Sequence, residues 1–288
     1  MTSRLLRYAA FSRDPDGGNR AGVWIGERLP PAEEMQAIAA RIGYSETAFV
    51  AAPDACGRRL VRYFSPAAEV PFCGHATIAA AVALGDLGEG DRQRLQTAAG
   101  EVEATVSMQE GARTATLVSV TPRHAPAPDA LLRDALAALD WRTDELDPAI
   151  PPALAFAGAW HLVLAVRDRR RLAKLDYDFA ALRATMLAAE LTTLQLVWRE
   201  HAGLFHARNP FPVGGVVEDP ATGAAAAALG GYLRDADLLP VPARLTIRQG
   251  EDMGRPGLLQ VDIPAHGGIS VSGHAVPIPE TRFAGDPR

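Results

Sequence analysis

One short run of the sequence, EVPFCGHATIAAA from Glu69, places a thiol and an imidazole on a tight turn before an alanine-rich segment. Cys73 has the side chain of a nucleophile and His75 that of a general base. Both types also bind zinc, but two ligands are an incomplete zinc site. The same pattern is typical of the capped start of a buried helix. The turn alone therefore leaves catalysis and a plain helix start both open.

A second stretch, EDPATGAAAAALG from Glu218, has the same shape as the first. Aligning Gly74 with Gly223 gives an offset of 149 residues (223 minus 74), which also aligns Glu69 with Glu218. Both turns lead into segments that are apolar on nearly every face, as in a helix enclosed within a domain. The sequence predicts two copies of one domain, each wrapping strands around a central helix.

The bulk composition limits the class of protein. A chain of 288 residues with 48% hydrophobic and 22% charged residues is typical of a soluble globular protein with two domains. A net charge of -5 without a basic stripe disfavours a nucleic-acid partner. We see no signal peptide and no run of about 20 apolar residues, so we expect a cytoplasmic protein that does not enter a membrane. Cys56 and Cys73 are too few for a disulfide framework.

Most cofactor signatures are missing from the sequence. It contains no HExxH, no paired CxxC, no P-loop, and no GxGxxG between a strand and a helix. Lys174, the only lysine, lies in a polar stretch that is typical of a solvated surface. We therefore expect no pyridoxal phosphate, no nucleotide and no metal.

The local patterns favour an α+β fold with many short strands and few helices. The clearest helix is PPAEEMQAIAARIG, in which Pro31 suits a first turn and Gly43 an end. It leads to YSETAFV, a short strand with Glu46 at its beginning.

Five motifs together carry a resemblance to a known family: GGNRAGV, GYSETAFV, RYFSPAAEVPFCGHATIAAA, EDPATGAAAAALGGYL and RQGEDMGRPGLLQV. In this order, along nearly the whole chain, they resemble the PhzF-like isomerases of phenazine biosynthesis, which have the diaminopimelate-epimerase-like fold. The resemblance implies two pseudo-symmetric domains, each with a barrel-like sheet around a central helix and an active site in the cleft between them. It further implies an enzyme without cofactor or metal, usually a homodimer. We predict a first domain over 1–120, completed by a strand at about 274–288, and a second over 121–273.

Glu46 is the residue to which the resemblance gives the catalytic role. The family's SET segment carries a glutamate that resembles a general acid/base for moving a proton between carbons. Burial that raises the pKa of such a carboxyl toward neutrality suits it to this work. The alternative is an exposed glutamate just past a helix, stabilised by a neighbouring amide.

The two turns share the geometry of a helix start. Gly74 and Gly223 permit close backbone approach, and the free amides of a first turn attract a substrate carboxylate. If the domains are pseudo-symmetric, we expect both helix starts to point at one cleft. His75 and Asp219 resemble the family's substrate-contacting residues, with helix and turn capping as the alternative.

Cys73 is expected to be a small packing residue at the cleft. Two-base epimerases of this fold use one thiol in each domain, but the offset pairs Cys73 with Thr222. A threonine hydroxyl is too weakly acidic to act as the second base, so a dithiol mechanism is excluded.

Two departures from the family pattern bear on the substrate. Ala224 replaces the serine of EDPATGS, which removes a possible substrate contact and puts the dihydro-hydroxyanthranilate of phenazine synthesis in doubt. Arg20 replaces a proline, either as an anion contact or as a surface residue. The sequence predicts an isomerase that moves a proton within a small carboxylic acid. The alternatives are an amino-acid-type racemase or epimerase, and a metabolite-binding protein without catalysis.

Overall fold

The computed structural model describes residues 3–280, and the chain forms two compact units. Unit 1 consists of the residues up to Leu117 together with those from Ser272 onward, and unit 2 is Val118–Val271. The predicted C-terminal strand over 274–288 falls partly on residues 281–288, which lie outside the described residues.

Unit 1 is built from nine strands and two helices. The helices are α1 (Ala32–Ile42) and α2 (Gly74–Asp86). The strands are β1 (Arg4–Ala10), β2 (Asn19–Gly26), β3 (Glu46–Pro53), β4 (Arg58–Phe64), β5 (Glu69–Val70), β6 (Arg92–Thr97), β7 (Gly100–Gln109), β8 (Ala112–Val118) and β17 (Ser270–Pro277).

Strand pairing in unit 1 closes a barrel. Neighbours follow the order β1, β2, β3, β4, β6, β7, β8, and β17 joins β8 back to β1. The pairs β2–β3 and β4–β6 are parallel, which requires crossover connections, and the other pairs whose register is defined are antiparallel. Helices α1 and α2 lie in these two connections.

Helix α2 is the central helix of unit 1. It contacts β1, β2, β3 and β7, and every residue from His75 to Gly85 is buried. Alanine and other small residues dominate this segment and let the helix pack closely against strands on several sides. The prediction of an enclosed helix is confirmed.

Helix α1 follows its sequence pattern closely. Pro31 precedes the first helical residue, and Gly43 ends the helix with a left-handed φ of 71°. Met35 and Ile38 are buried in a cluster with Phe49 of β3, so the helix covers the sheet with one apolar face.

Unit 2 contains eight strands and four helices. The helices are α3 (Asp129–Leu139), α4 (Arg169–Ala173), α5 (Phe179–Ala188) and α6 (Gly223–Asp235). The strands are β9 (Arg123–Pro126), β10 (Ala153–Phe156), β11 (Trp160–Val166), β12 (Thr193–His201), β13 (Leu204–Pro210), β14 (Glu218–Asp219), β15 (Ala243–Gln249) and β16 (Gly257–Ile263).

The sheet of unit 2 repeats the strand connections of unit 1. The pairs β11–β12 and β13–β15 are parallel, β12–β13 is a hairpin, and α6 lies in the second crossover just as α2 does. Helix α6 contacts β9, β10, β11 and β16 and is buried from Ala225 to Arg234. The predicted α+β fold of two similar units, each with a sheet around a central helix, is confirmed.

The helices are short compared with a membrane span. The longest, α2 and α6, have 13 residues each, whereas a span needs about 20. Within the described part of the chain, no helix has the length and apolar character to cross a membrane.

Candidate active site

The turn before α2 ends in an extended residue. Cys73 has φ -144° and ψ 115°, and its side chain makes no capping hydrogen bond to the helix. Its carbonyl oxygen accepts a hydrogen bond of 2.7 Å from the hydroxyl of Thr77, which also bonds the buried Tyr63 hydroxyl at 2.7 Å. These bonds fix the Cys73 backbone from inside the barrel.

Three reactive side chains meet at this turn. Glu46, the first residue of β3, places Oε2 3.4 Å from Nε2 of His75 and 3.5 Å from Sγ of Cys73. The Cys73 sulfur lies 3.3 Å from the other ring nitrogen of His75. Glu46 is the most accessible of the three, with 13% of its side chain exposed. The barrel therefore gathers a carboxyl, an imidazole and a thiol from two distant motifs.

The imidazole of His75 is held by two further polar residues. The amide nitrogen of Asn19, at the start of β2, lies 3.1 Å from Nδ1, and the Ser45 hydroxyl lies 3.3 Å from Nε2. Ser45 also donates to the Asn19 amide oxygen over 3.5 Å. Both residues lie in motifs that carry the family resemblance, GGNRAGV and GYSETAFV, but neither was predicted as a site residue.

This arrangement suits proton transfer. A carboxyl group that is largely buried but still reaches solvent can exchange a proton with a bound molecule. The burial of Glu46 differs from the alternative of an exposed glutamate past a helix. His75, tied to Asn19 and Ser45, keeps one ring orientation beside it.

In unit 2 the corresponding turn is organised by a glutamine. Gln249, at the end of β15, donates from Nε2 to the Asp219 carbonyl (2.7 Å) and to the Thr222 hydroxyl (3.0 Å). Its Oε1 accepts a hydrogen bond of 3.1 Å from the Thr222 amide, and the Thr222 hydroxyl donates to the Asp219 carboxylate over 2.5 Å. Asp219 is thus tied to the start of α6, whose first two residues are Gly223 and the half-buried Ala224.

Gly250 completes this turn because no other residue fits there. Its φ is +79°, and a Cβ atom would lie 2.3 Å from the carbonyl oxygen of Arg255 and 2.7 Å from that of Pro220. The RQG motif belongs to the stretch that carries the family resemblance, but its role in holding Asp219 was not predicted.

The aligned glutamates Glu69 and Glu218 both bind arginines. Arg62 makes two hydrogen bonds of 2.6 Å to Glu69 near the surface, and the guanidinium lowers the pKa of that carboxyl. Glu218 binds Arg208 in the interior of unit 2, at 2.9 Å and 2.5 Å. The duplicated position is therefore exposed in one unit and buried in the other.

Unit 2 carries a buried polar cluster where unit 1 has Glu46. Glu46 pairs with Ala21 at the start of β3, and Thr193 pairs with His161 at the start of β12. The Thr193 hydroxyl bonds His161 Nδ1 at 2.8 Å and accepts a hydrogen bond from Asn209 at 3.1 Å. No carboxyl takes the place of Glu46 at this position.

We expect His161 to make the stability of unit 2 depend on pH. Burial lowers the pKa of His161 from 6.5 to about 4. Between pH 6.5 and pH 4, His161 is therefore protonated in the unfolded chain but neutral in the folded chain. Stability is then complete above about pH 6.5 and falls as the pH drops toward 4, by roughly 3 kcal/mol. Urea unfolding measured at a series of pH values tests this.

The matched variants are His161→Gln, which removes the titrating group, and His201→Gln, which alters an exposed histidine. The pH slope between 6.5 and 4 should shrink in the first variant and persist in the second. An unchanged slope in His161→Gln would show that other groups cause it.

The predicted site residues thus fall into two groups. Unit 1 brings together Cys73 and His75 with Glu46, beside Gly74 at the start of α2. Unit 2 holds Asp219 against Thr222 at the start of α6. Glu46 adds a third ligand type beside Cys73 and His75, which corrects the expectation of an incomplete, two-ligand zinc site at this turn.

Arg20 is neither a plain surface residue nor a demonstrated anion contact. Its guanidinium lies 3.7 Å from Asp16 and 6.0 Å from the ring centroid of Tyr44, with 22% of its side chain exposed.

Comparison with known proteins gives the family. Residues 8–281 match the family described as "Phenazine biosynthesis-like protein" (PhzC-PhzF). An "Uncharacterized isomerase YfhB" of Bacillus subtilis is 30% identical, with 98% of each chain covered. The "Trans-2,3-dihydro-3-hydroxyanthranilate isomerase" of Pseudomonas chlororaphis is 32% identical over 87% of this chain and 86% of its own.

A solved structure supports the same fold. The Bacillus anthracis phenazine biosynthesis protein of the PhzF family has a TM-score of 0.84 at 23% identity, covering 97% of this chain and 98% of that one. The family match spans almost the entire chain, and the curated relatives are named isomerases. The chain therefore belongs to the phenazine biosynthesis-like (PhzC-PhzF) family and is an isomerase.

Proposed function

We propose that this isomerase moves a proton within a small carboxylic acid, with Glu46 as the general acid/base and no cofactor. The observation that carries the proposal is the position of Glu46. Its carboxyl lies 3.4 Å from His75 and 3.5 Å from Cys73 and is the most accessible of the three groups.

In the proposed reaction, the Glu46 carboxylate takes a proton from one carbon of the substrate as the electron pair of that C–H bond enters the π system. The protonated carboxyl, which still reaches solvent and can exchange its proton there, then delivers a proton to a second carbon, and the double bond shifts. No net electron or proton leaves the site, so the step needs no redox partner. General acid–base catalysis of this kind contributes about 10²–10⁴-fold to the rate.

The start of α2 supplies a place for the carboxylate of the substrate. The first turn of this helix contains no acidic residue, and its amides carry the positive end of the helix dipole. His75 lies in that turn and contacts Glu46 directly. Binding an acid there would bring its neighbouring carbons toward the Glu46 carboxyl.

The substrate class that we propose follows from the substrate named for a related enzyme. The Pseudomonas chlororaphis enzyme is named for trans-2,3-dihydro-3-hydroxyanthranilate, which is a cyclic amino acid. We propose a related cyclic or amino-substituted carboxylic acid here. Ala224, where the family commonly has serine, suggests that the preferred acid differs in a polar group.

Hydrogen exchange with solvent tests this function. The protein is incubated in D₂O with a panel of small carboxylic acids that includes trans-2,3-dihydro-3-hydroxyanthranilate, and deuterium at carbon is followed by NMR. A proton-moving isomerase should introduce deuterium and shift a double bond. Inverted chirality at the exchanged carbon would favour a racemase, and binding without exchange would favour a protein that only holds a metabolite.

Activity should survive treatment with EDTA and dialysis. The proposed step uses the Glu46 carboxyl as acid and base and gives no role to a metal ion. The measurement compares kcat/KM and metal content before and after chelation. Activity that depends on a stoichiometric metal, and returns only when the metal is restored, would contradict the proposal.

Several expectations beyond this step stay predictions. Asp219, Gly223 and Ala224 are predicted to contact the substrate, and the protein is predicted to be a cytoplasmic homodimer.

A further inference from the structure

The side chains of Glu46, Cys73 and His75 have the composition of a soft-metal site. Thiolate and imidazole are the ligands that zinc and similar ions prefer, and a carboxylate commonly completes such sets. Three protein ligands are the number found in zinc sites that keep one position for water or substrate. We propose that this cluster binds Zn²⁺ and that the bound ion inhibits the enzyme.

The distances between the ligand atoms carry the proposal. Bonds of about 2.3 Å to sulfur and about 2.0 Å to nitrogen and oxygen, at tetrahedral angles, separate ligand atoms by roughly 3.3–3.6 Å. In the structure, Glu46 Oε2 lies 3.4 Å from His75 Nε2 and 3.5 Å from Cys73 Sγ, and Sγ lies 3.8 Å from Nε2. The sulfur lies nearer to Nδ1, at 3.3 Å, so the Cys73 side chain, which makes no capping bond to the helix, must rotate before these atoms form three corners of a zinc tetrahedron.

The charge balance also favours binding. Zn²⁺ displaces one proton from the Cys73 thiol, and the thiolate and the Glu46 carboxylate together neutralise the ion. A neutral set costs little to place in a site where Cys73 is 9% and His75 6% exposed. The released proton makes the affinity rise with pH.

Asn19 is suited to orient the His75 imidazole both without zinc and with zinc bound. Its amide nitrogen lies 3.1 Å from His75 Nδ1 and can donate a hydrogen bond to it when the ring proton is on Nε2. Zinc on Nε2 moves that proton to Nδ1, and a half-turn of the Asn19 amide then presents its oxygen as the acceptor. Metal-bound histidines generally donate their second N–H in this way.

Inhibition, unlike binding, rests on the proposed function. Zinc would occupy the Glu46 oxygen that takes the proton from the substrate. The expected result is reversible inhibition by micromolar zinc, relieved by EDTA, in an enzyme that needs no metal for turnover. Magnesium, which prefers oxygen ligands, should not inhibit.

Equilibrium dialysis against ZnCl₂ tests binding without reference to activity, and CdCl₂ gives a thiolate-to-metal ultraviolet absorption band. Wild type and Cys56→Ser, which removes the exposed cysteine, should each take up one ion with this band. Cys73→Ser should lose the band and weaken zinc binding by more than the roughly 10–100-fold typical of an outer-shell change.

Two outcomes would overturn the site: uptake well below one ion per chain in wild type, or equal uptake by Cys73→Ser. Stoichiometric zinc bound through Cys73 without loss of activity would keep the site but contradict inhibition. If Glu46→Gln stays active while wild type still binds zinc through Cys73, the proposed function fails and the metal site stands.

Discussion

Glu46→Gln is expected to lower kcat by about 10²–10⁴-fold, the usual contribution of a general acid/base. Glutamine keeps the size and polarity of the side chain next to His75 and Cys73 but cannot accept a proton from carbon. We therefore expect folding and ligand affinity to change little, so that the loss lies in kcat and not in KM. Steady-state kinetics, with a thermal melt of each protein, measures both.

Glu69→Gln is the matched control. Glu69 belongs to the same unit and uses its carboxylate to bind Arg62 near the surface. Its substitution should leave kcat near the wild-type value. If Glu46→Gln retains more than a tenth of the wild-type kcat, Glu46 is not the acid/base.

Arg208→Met is expected to destabilise unit 2 by roughly 3–5 kcal/mol, because it leaves the charge of Glu218 buried without a partner. The Glu218 side chain is only 3% exposed, and Arg208 binds both of its oxygens, at 2.9 Å and 2.5 Å. Arg208 also donates to the Ala173 carbonyl over 2.7 Å, so the variant loses that bond too. Urea unfolding measures the change in free energy.

The duplicated fold provides the control. Arg62→Met breaks the pair with Glu69, which is 37% exposed, and should cost no more than about 1 kcal/mol. The double variant Arg208→Met, Glu218→Leu removes both charges and should recover much of the loss. Equal costs for Arg62→Met and Arg208→Met would contradict the role of burial.

The sequence predicts the elements better than their contacts. Pro31 and Gly43 mark the limits of α1 because proline suits a helix start and glycine tolerates a left-handed φ. The alanine-rich runs after Gly74 and Gly223 predict enclosed helices because a helix that is apolar on every face is usually buried. These signals are local and can be read from a few neighbouring residues.

The composition of the site could be predicted only in part. Glu46 and His75 lie in motifs that draw attention, but their contact joins residues far apart in sequence and depends on the β2–β3 pairing. Asn19 was missed because an asparagine after two glycines is also a common turn residue. The buried His161 cluster was missed because a single polar residue barely disturbs the apolar pattern of a strand.

The offset of 149 residues predicts which positions correspond but not how they differ. It aligns Glu69 with Glu218, yet one carboxyl lies near the surface and the other is buried with Arg208. It aligns Glu46 with Gln195 (46 plus 149), although Thr193 is the residue at the corresponding strand start, because the spacing of the repeated strands differs between the two units. Whether the carboxyl at the duplicated position of Glu69 and Glu218 is buried depends on the residues that each unit packs around it.

The rate of deuterium incorporation from D₂O into a substrate carbon tests the central claim most directly, because it detects the C–H step even where product release limits turnover. Wild type and Glu69→Gln should exchange at similar rates. Glu46→Gln should exchange at least about 100-fold more slowly while still binding the acid. Exchange in Glu46→Gln at the wild-type rate would contradict the assignment of Glu46 as the group that moves the proton.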